Sequence, residues 1–275
     1  MPELPEVETV ARGLHNGTEG TPSLVGAKID YAKVSWAKTV EEPSAKEFKK
    51  RIIGQTVEKV SRRGKYILIK LTDDTMLVHL RMSGDLLVGE GKTPLGRHSR
   101  LELYMEDGLQ LSFNNPRKFG RVWLVPDPEM IVGGLGPEPF DPKLTAAKFH
   151  RMLGMKKRQI KPLLLDQKFI AGVGNIYADE SLHRAKINPI RRAHTIEKDE
   201  AKLLLKSLRA VLKEGIRRNG ASIDWAYQGG EFQNYFNVYQ RTDEPCPVCG
   251  TPISRIVVGQ RGTHYCKTCQ PTPQD

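Results

Sequence analysis

The sequence predicts an α+β chain of more than one domain: an N-terminal antiparallel β-sandwich or barrel with one helix ahead of it, a helical second half, and a small four-cysteine module at the end. Three observations carry this expectation. Between residues 65 and 125, short strand-like runs recur, divided by Gly, Asp, Asn and Pro. After the Gly- and Pro-rich stretch 133–143 the apolar period lengthens from two residues to three or four. All four cysteines of the 275-residue chain lie in its last thirty residues, in two close pairs.

Taken in order, Val7, Val10, Ala11 and Leu14 fall on one face of a helix over residues 3–14, which pins the N-terminus against a core. Strands are expected at 65–71, 75–82, 100–105, 109–113 and 121–125, with a short helix at 45–53 interrupting the pattern. The aperiodic stretch GGLGPEPFDPK marks the domain boundary. Beyond it, Thr145 caps a helix running to about Leu153. The segments IKPLLLD and GVGNIYADESLHRA follow, and the longest helix spans roughly 197–218 with Thr195 as its cap. These signals divide the chain into 1–133, a linker at 134–143, a helical domain at 144–238 and the cysteine module at 239–275.

Composition narrows the partners. Lys and Arg number 43 against 32 Asp and Glu, a net charge of +11, which favours a polyanion such as nucleic acid. No apolar run approaches the ~20 residues of a membrane span, and charges run through the first twenty residues, so a cytosolic protein with neither anchor nor signal peptide is expected.

The candidate chemistry begins at the N-terminus. With Met1 removed, Pro2 presents a secondary amine beside the carboxylate of Glu3. An α-amino group titrates near pH ~8, so a substantial fraction is unprotonated at neutral pH and can attack an electrophilic carbon. The same residues also suit an ordinary helix start. Cys246-x2-Cys249, sixteen residues, then Cys266-x2-Cys269 is the spacing of a closed tetrahedral zinc site with no catalytic coordination position. Arg261 and Gly262 are expected at the tip of the hairpin between the knuckles. Gly172-Val-Gly-Asn175 opens a helix as an anion site or a tight turn. Ser61-Arg62-Arg63-Gly64-Lys65 reads as a basic sheet edge, His98 as a phosphate ligand or a structural histidine. In Asn115-Pro-Arg117-Lys-Phe119-Gly a cation and a ring can project as wedges into a base stack, or pack back on the domain.

Together, MPELPEVET, RRGKY, HLRMSG, PRKFG, GVGNIYADE and the four-cysteine module with QRGTHYC occur in this order from residue 1 to 269, and the chain resembles the bacterial formamidopyrimidine-DNA glycosylases throughout. The resemblance implies a β-sandwich with an N-terminal helix, a helix-two-turns-helix domain and a zinc finger. It implies a bifunctional enzyme that removes oxidised purines from DNA through a Pro2 Schiff base and then cleaves the strand. Pro2 is the implied nucleophile and Glu3 the acid, with Glu6 in support. Lys65, Asn175 and Arg261 hold phosphates around the lesion, and His79, His98 and Lys161 are further DNA contacts. Met82, Arg117 and Phe119 fill the gap left by the extruded base. One structural Zn2+, no small-molecule cofactor, double-stranded DNA bearing oxidised bases or abasic sites, a monomer and a place in the bacterial cytosol at the nucleoid complete the implied picture.

Three positions depart from the family pattern: Asn115 where an Asp is usual, Gln240 where a Gly is usual, and Trp225 in place of a smaller residue. An endonuclease VIII-like relative acting on oxidised pyrimidines is the nearest alternative, and Leu4 in MPELPE argues against it. A damaged-DNA binder without catalysis, or a zinc-ribbon RNA-binding protein, fits the charge and the cysteines less completely.

Overall fold

The computed structural model describes residues 1–91, 95–222, 227 and 229–272; Trp225 lies outside them. The chain forms two compact units, Met1–Gly134 with Ala221–Gly230, and Leu135–Gly220 with Glu231–Asp275.

The first unit opens with α1 (Leu4–Asn16) and continues through β1 (Ile29–Val34), β2 (Val40–Glu42), α2 (Ala45–Ile52), β3 (Val57–Arg63), β4 (Tyr66–Leu71), β5 (Thr75–His79), β6 (Asp85–Glu90), β7 (Ser99–Met105), β8 (Leu109–Asn114), β9 (Arg121–Val125) and the single turn α3 (Glu129–Val132). Two sheets result, in the orders β1-β7-β8-β6 and β2-β9-β5-β4-β3. Neighbours pair antiparallel except for the three-residue edge strand β2, which joins β9 in parallel. In β4 the alternation is complete: Ile67, Ile69 and Leu71 are buried and their neighbours less so. The two sheets enclose one core with Leu101, Leu103, Leu111 and Phe113 on one side and Val78, Val122 and Leu124 on the other. Val7, Ala11 and Leu14 of α1 join that core, as do Phe48 and Ile52 of α2. This is the sandwich the strand pattern predicts.

The strand expected at 75–82 ends at His79. Arg81 takes a left-handed backbone, φ 56°, and its N–H turns back to His79 Nδ1 at 3.0 Å, so the chain leaves the sheet there. Met82 is thereby turned outward, 41% exposed.

The second unit contains α4 (Ala146–Gly154), α5 (Ile160–Leu164), α6 (Asn175–Arg184), α7 (Lys198–Arg217), and the hairpin β10 (Ile253–Val258) and β11 (Arg261–Cys266). Thr145 caps α4 as expected, its side chain accepting from Lys148 N–H. The cap of α7 is Glu197 rather than Thr195. Glu197 and Glu200 close a capping box, Glu197 N–H donating to Glu200 Oε2 at 2.8 Å, while Thr195 ends a separate 3-10 turn. The apolar face of α7, including Leu204, Leu208 and Leu212, packs against α4 and α6. Gly215 is required where α7 meets α6, because a Cβ there would lie 2.5 Å from the ring of the fully buried Tyr177. Tyr177 in turn stacks on Phe232 at 5.3 Å.

Candidate DNA-binding and catalytic residues and a zinc centre

In the first unit, the N-terminus is fixed by the start of α1. Glu3 N–H donates to Glu6 Oε2 at 2.7 Å, closing a capping box, and the other Glu6 oxygen accepts Ala221 N–H at 2.8 Å. Pro2, Glu3 and Glu6 are all buried, so the candidate nucleophile and its acid sit together out of bulk solvent. Glu6, read as support, has both carboxylate oxygens engaged. Lys65 follows Gly64, φ 57°, in the turn between β3 and β4, and is 5% exposed. The stretch 61–65 is therefore no solvated basic edge. Arg62 is ion-paired to Glu8 at 2.8 Å, and Lys65 lies inside.

His79 is 7% exposed and its ring stands edge-on to Tyr66 at 4.8 Å. Burial above all, with the charges of Arg81 and Lys65 beside it, pushes its pKa down to about 3. The Arg81 N–H bond to Nδ1 requires that nitrogen unprotonated, which agrees. The sign for stability follows. The unfolded chain takes up a proton near pH ~6.5 that the folded chain refuses, so stability falls as pH drops from there toward 3. Urea midpoints measured across that window should fall more steeply in the native chain than in His79→Gln.

Arg117 and Phe119 project together from the turn after β8. Both are exposed, with the guanidinium 5.1 Å from the ring centre. The turn is tied from behind by Asn115, fully buried, whose N–H donates to His98 O at 2.9 Å and whose O accepts from Lys118 N–H and Arg100 Nε, each at 3.2 Å. His98 is thus joined through its backbone to the loop that carries Arg117 and Phe119. Its side chain is partly exposed.

In the second unit, Asn175 is the first residue of α6, entered through Gly172, φ 86°, and Gly174. Gln167 staples that entry, accepting Gly172 N–H at 2.8 Å and donating to Leu165 O and Val173 O. Asn175 Nδ2 donates to Gly262 O at 3.1 Å. The hairpin tip is not Arg261–Gly262 but Gly259–Gln260, both left-handed at φ 55° and 61°, as a two-residue hairpin turn of this hand requires. Arg261 is the first residue of β11 and is exposed.

Lys161 corrects an expectation. It is fully buried, so it offers DNA no direct contact. Its ammonium is held by Asp179 Oδ1 at 2.6 Å, Gly262 O at 2.9 Å and Thr263 Oγ1 at 2.8 Å. Asp179 was not singled out in the sequence, although it stands four residues after Asn175 and so on the same helical face. Its second oxygen accepts His264 N–H at 2.9 Å. The adjacent Glu180, also missed, accepts the N–H groups of Asn237, Val238 and Tyr239 at 2.9–3.1 Å.

The four cysteine sulfurs lie within 4.8 Å of one another, with Cys249 3.4 Å from Cys266 and Cys246 3.9 Å from Cys269. Zinc–sulfur bonds of about 2.3 Å in a tetrahedron place sulfurs about 3.8 Å apart, so the set fits zinc, and all four positions are closed by protein. His183 Nε2 lies 3.4 Å from Cys246 Sγ, an outer partner for that thiolate. Gln240, where a Gly is usual, takes φ 59° ahead of the first cysteine pair, which explains why a Gly suits the position. A tetrathiolate site supplies on the order of 10 kcal/mol of folding free energy. Cys249→Ser is expected to release the metal and disorder β10 and β11; metal content and amide hydrogen exchange check both.

Comparison with known proteins decides the family. Residues 1–122 match the formamidopyrimidine-DNA glycosylase N-terminal domain, residues 135–226 the corresponding H2TH domain, and residues 243–272 the zinc finger found in FPG and IleRS. The chain is 44% identical to the formamidopyrimidine-DNA glycosylase of Pelotomaculum thermopropionicum, covering 98% of this chain and 99% of that one.

The chain belongs to the formamidopyrimidine-DNA glycosylase family.

A second family member, from Protochlamydia amoebophila, is 40% identical with the same coverage. Among solved structures, the family enzyme of Lactococcus lactis in complex with DNA containing an abasic site superposes with a TM-score of 0.90 at 34% identity, over 98% of this chain and all of that one. Another structure of the Lactococcus lactis protein, with FAPY-dG-containing DNA, agrees equally well. As in the family models, an N-terminal helix, a β-sandwich, a helical H2TH domain and a structural zinc finger follow in order. Among the described residues no helix is long and apolar enough to cross a membrane.

Proposed function

We propose that this chain is a bifunctional DNA glycosylase and lyase that removes oxidised purines, 8-oxoguanine and formamidopyrimidines, from duplex DNA. The observation that carries the reading is the buried capping box Glu3–Glu6, which holds Pro2 beside a carboxylate at the start of a core-packed helix. Removal of Met1 frees the Pro2 amine. That amine attacks C1′ of the extruded nucleotide, and the base leaves with the glycosidic electron pair. Glu3 protonates the sugar ring oxygen as the ring opens to an iminium. The iminium acidifies the C2′ hydrogens, so loss of one with departure of the 3′ phosphate, followed by departure of the 5′ phosphate, cuts the strand on both sides.

Extrusion itself costs a few kcal/mol, which contacts on either side of the lesion offset. Lys65, Arg261 and Asn175 hold phosphates around the site, with His98 in a secondary place. Met82, Arg117 and Phe119 occupy the vacated stack. Lys161 acts one step back, by fixing the backbone beside Arg261. The zinc supplies no chemistry beyond cross-linking the finger. The division into a catalytic sandwich (1–133), linker (134–143), helical DNA-binding domain (144–238) and finger (239–275), a monomeric state and a cytosolic location at the nucleoid belong to the same proposal.

The test is excision from a duplex carrying one 8-oxoguanine opposite cytosine, using chain with Met1 removed. A gapped product with phosphates at both ends is expected. Excision confined to an oxidised pyrimidine, or binding with no excision, would overturn the reading. Duplex affinity should also depend on salt. With two cationic phosphate contacts, Lys65 and Arg261, a fourfold rise in salt weakens binding roughly 12-fold, and a flat response would remove the phosphate clamp.

A further inference from the structure

Glu8 and His15 sit seven residues apart on one face of α1 and meet β3 at two points: His15 Nδ1 accepts Val60 N–H at 3.2 Å, and Glu8 Oε2 accepts Arg62 Nε at 2.8 Å. Helix and strand run in opposite senses, so the fastening nearest the N-terminus is also the one nearest the β3–β4 turn. The Arg62 side chain, only 9% exposed, continues from there into the turn itself: its Nη1 donates to Gly64 O at 3.2 Å. Lys65 is the next residue. One guanidinium therefore spans from the helix that begins at Pro2 and Glu3 to the turn that presents Lys65.

We propose that Arg62 is a positioning residue, which holds the Gly64–Lys65 turn at a set distance from α1 so that Lys65 and the Pro2–Glu3 end keep one geometry through the reaction. The inference rests on the roles given above to Pro2 and Lys65. Arginine suits the place because its planar fork serves two acceptors in fixed directions, whereas a lysine ammonium at the end of a flexible stem serves them poorly. Arg12, 60% exposed, shares Glu8 at 2.7 Å and reinforces the carboxylate from the solvent side. Burial opposes the charge on Glu8, yet the hydrogen bonds and charges of Arg62 and Arg12 hold its carboxyl below the ordinary range, so the bridge stays ionised at neutral pH.

The experiment is single-turnover strand cleavage of a duplex with one abasic site, by full-length chain lacking Met1, with duplex affinity and thermal midpoint measured alongside. A misplacement of about 1 Å in the bound geometry costs up to about 100-fold in rate, and Arg62→Lys, by shifting the phosphate that Lys65 holds, is expected to slow cleavage about tenfold while duplex affinity changes less than about twofold. Placed in a Lys65→Ala chain, the same substitution should alter the rate less than about twofold, because the group it positions is gone. Glu8→Ala, which removes the carboxylate end of the bridge and leaves the Gly64 bond, provides a second route and the same expected factor should a position-62 variant fold poorly. An equal loss in both backgrounds would overturn the proposal, since Arg62 would then act independently of Lys65. So would an unchanged rate, or a fall in affinity that accounts for the loss. A Lys65→Ala chain with Arg62 intact that cleaves at full rate would instead overturn the role of Lys65 and, with it, the inference.

Discussion

Chain that retains Met1, or carries Pro2→Gly, is expected to give no borohydride-trapped adduct on damaged duplex while binding that duplex with close to native affinity. With Met1 in place the Pro2 nitrogen is an amide, whose lone pair is delocalised and cannot attack carbon. With glycine the amine is primary and has lost the ring that sets its direction from the end of α1. Loss of a covalent nucleophile registers on the scale of about 10^4-fold or more in turnover. Affinity should survive because the proposed phosphate and wedge contacts, Lys65, Asn175, Arg261, Arg117 and Phe119, lie elsewhere. Mass mapping of the native adduct checks the site directly, and a full yield of adduct from the Met1-retaining chain would remove Pro2 from the mechanism.

The second large effect is expected at Lys161. Removing one partner of a buried ion pair leaves the other charge unsolvated, at a cost of about 3–5 kcal/mol, so Lys161→Met should lower the thermal midpoint by roughly 10 °C. Removing both charges should restore most of this. Asp179→Asn is the better second change, since an amide oxygen can still accept the His264 N–H now bonded to the carboxylate at 2.9 Å. In Lys161→Met/Asp179→Asn, stability is expected within about 1–2 kcal/mol of native. Duplex affinity should nevertheless stay low, because Gly262 O has lost its ammonium donor and Arg261 the neighbour that fixed it. Calorimetry and anisotropy separate the two effects. Affinity that recovers together with stability would make the pair purely structural.

The readable parts of this chain were those governed by short-range repetition. The alternation of YILIKL, the apolar face of α7 and the spacing of four cysteines each state their own structure, because the partner that completes the pattern is a few residues away. Places where a single backbone angle decides were harder to read. Arg81 ends β5 early with φ 56°, and Gly259 and Gln260 shift Arg261 off the hairpin tip, yet only glycine announces such angles in a sequence. The hardest to see were partners far apart in the chain. Lys161, a DNA contact by the family resemblance, is one such case, since nothing near it in sequence reveals that Asp179 and the hairpin backbone at Gly262 enclose it. Glu197 displaced Thr195 as a cap for a milder reason: two glutamates three apart can close the box reciprocally, which a lone threonine cannot.

The face of α6 bears on how freely this protein could exchange parts with others. Asn175, Asp179 and His183 recur every fourth residue and reach, in turn, Gly262 O, His264 N–H and Cys246 Sγ. A zinc ribbon borrowed from an unrelated protein would bring its own thiolates and close around its own metal. It would bring no carbonyl, amide and sulfur at the three heights where this helix expects them. The finger is thus a common invention as a metal site and a bespoke one as a neighbour, and a graft succeeds only when the helix travels with it.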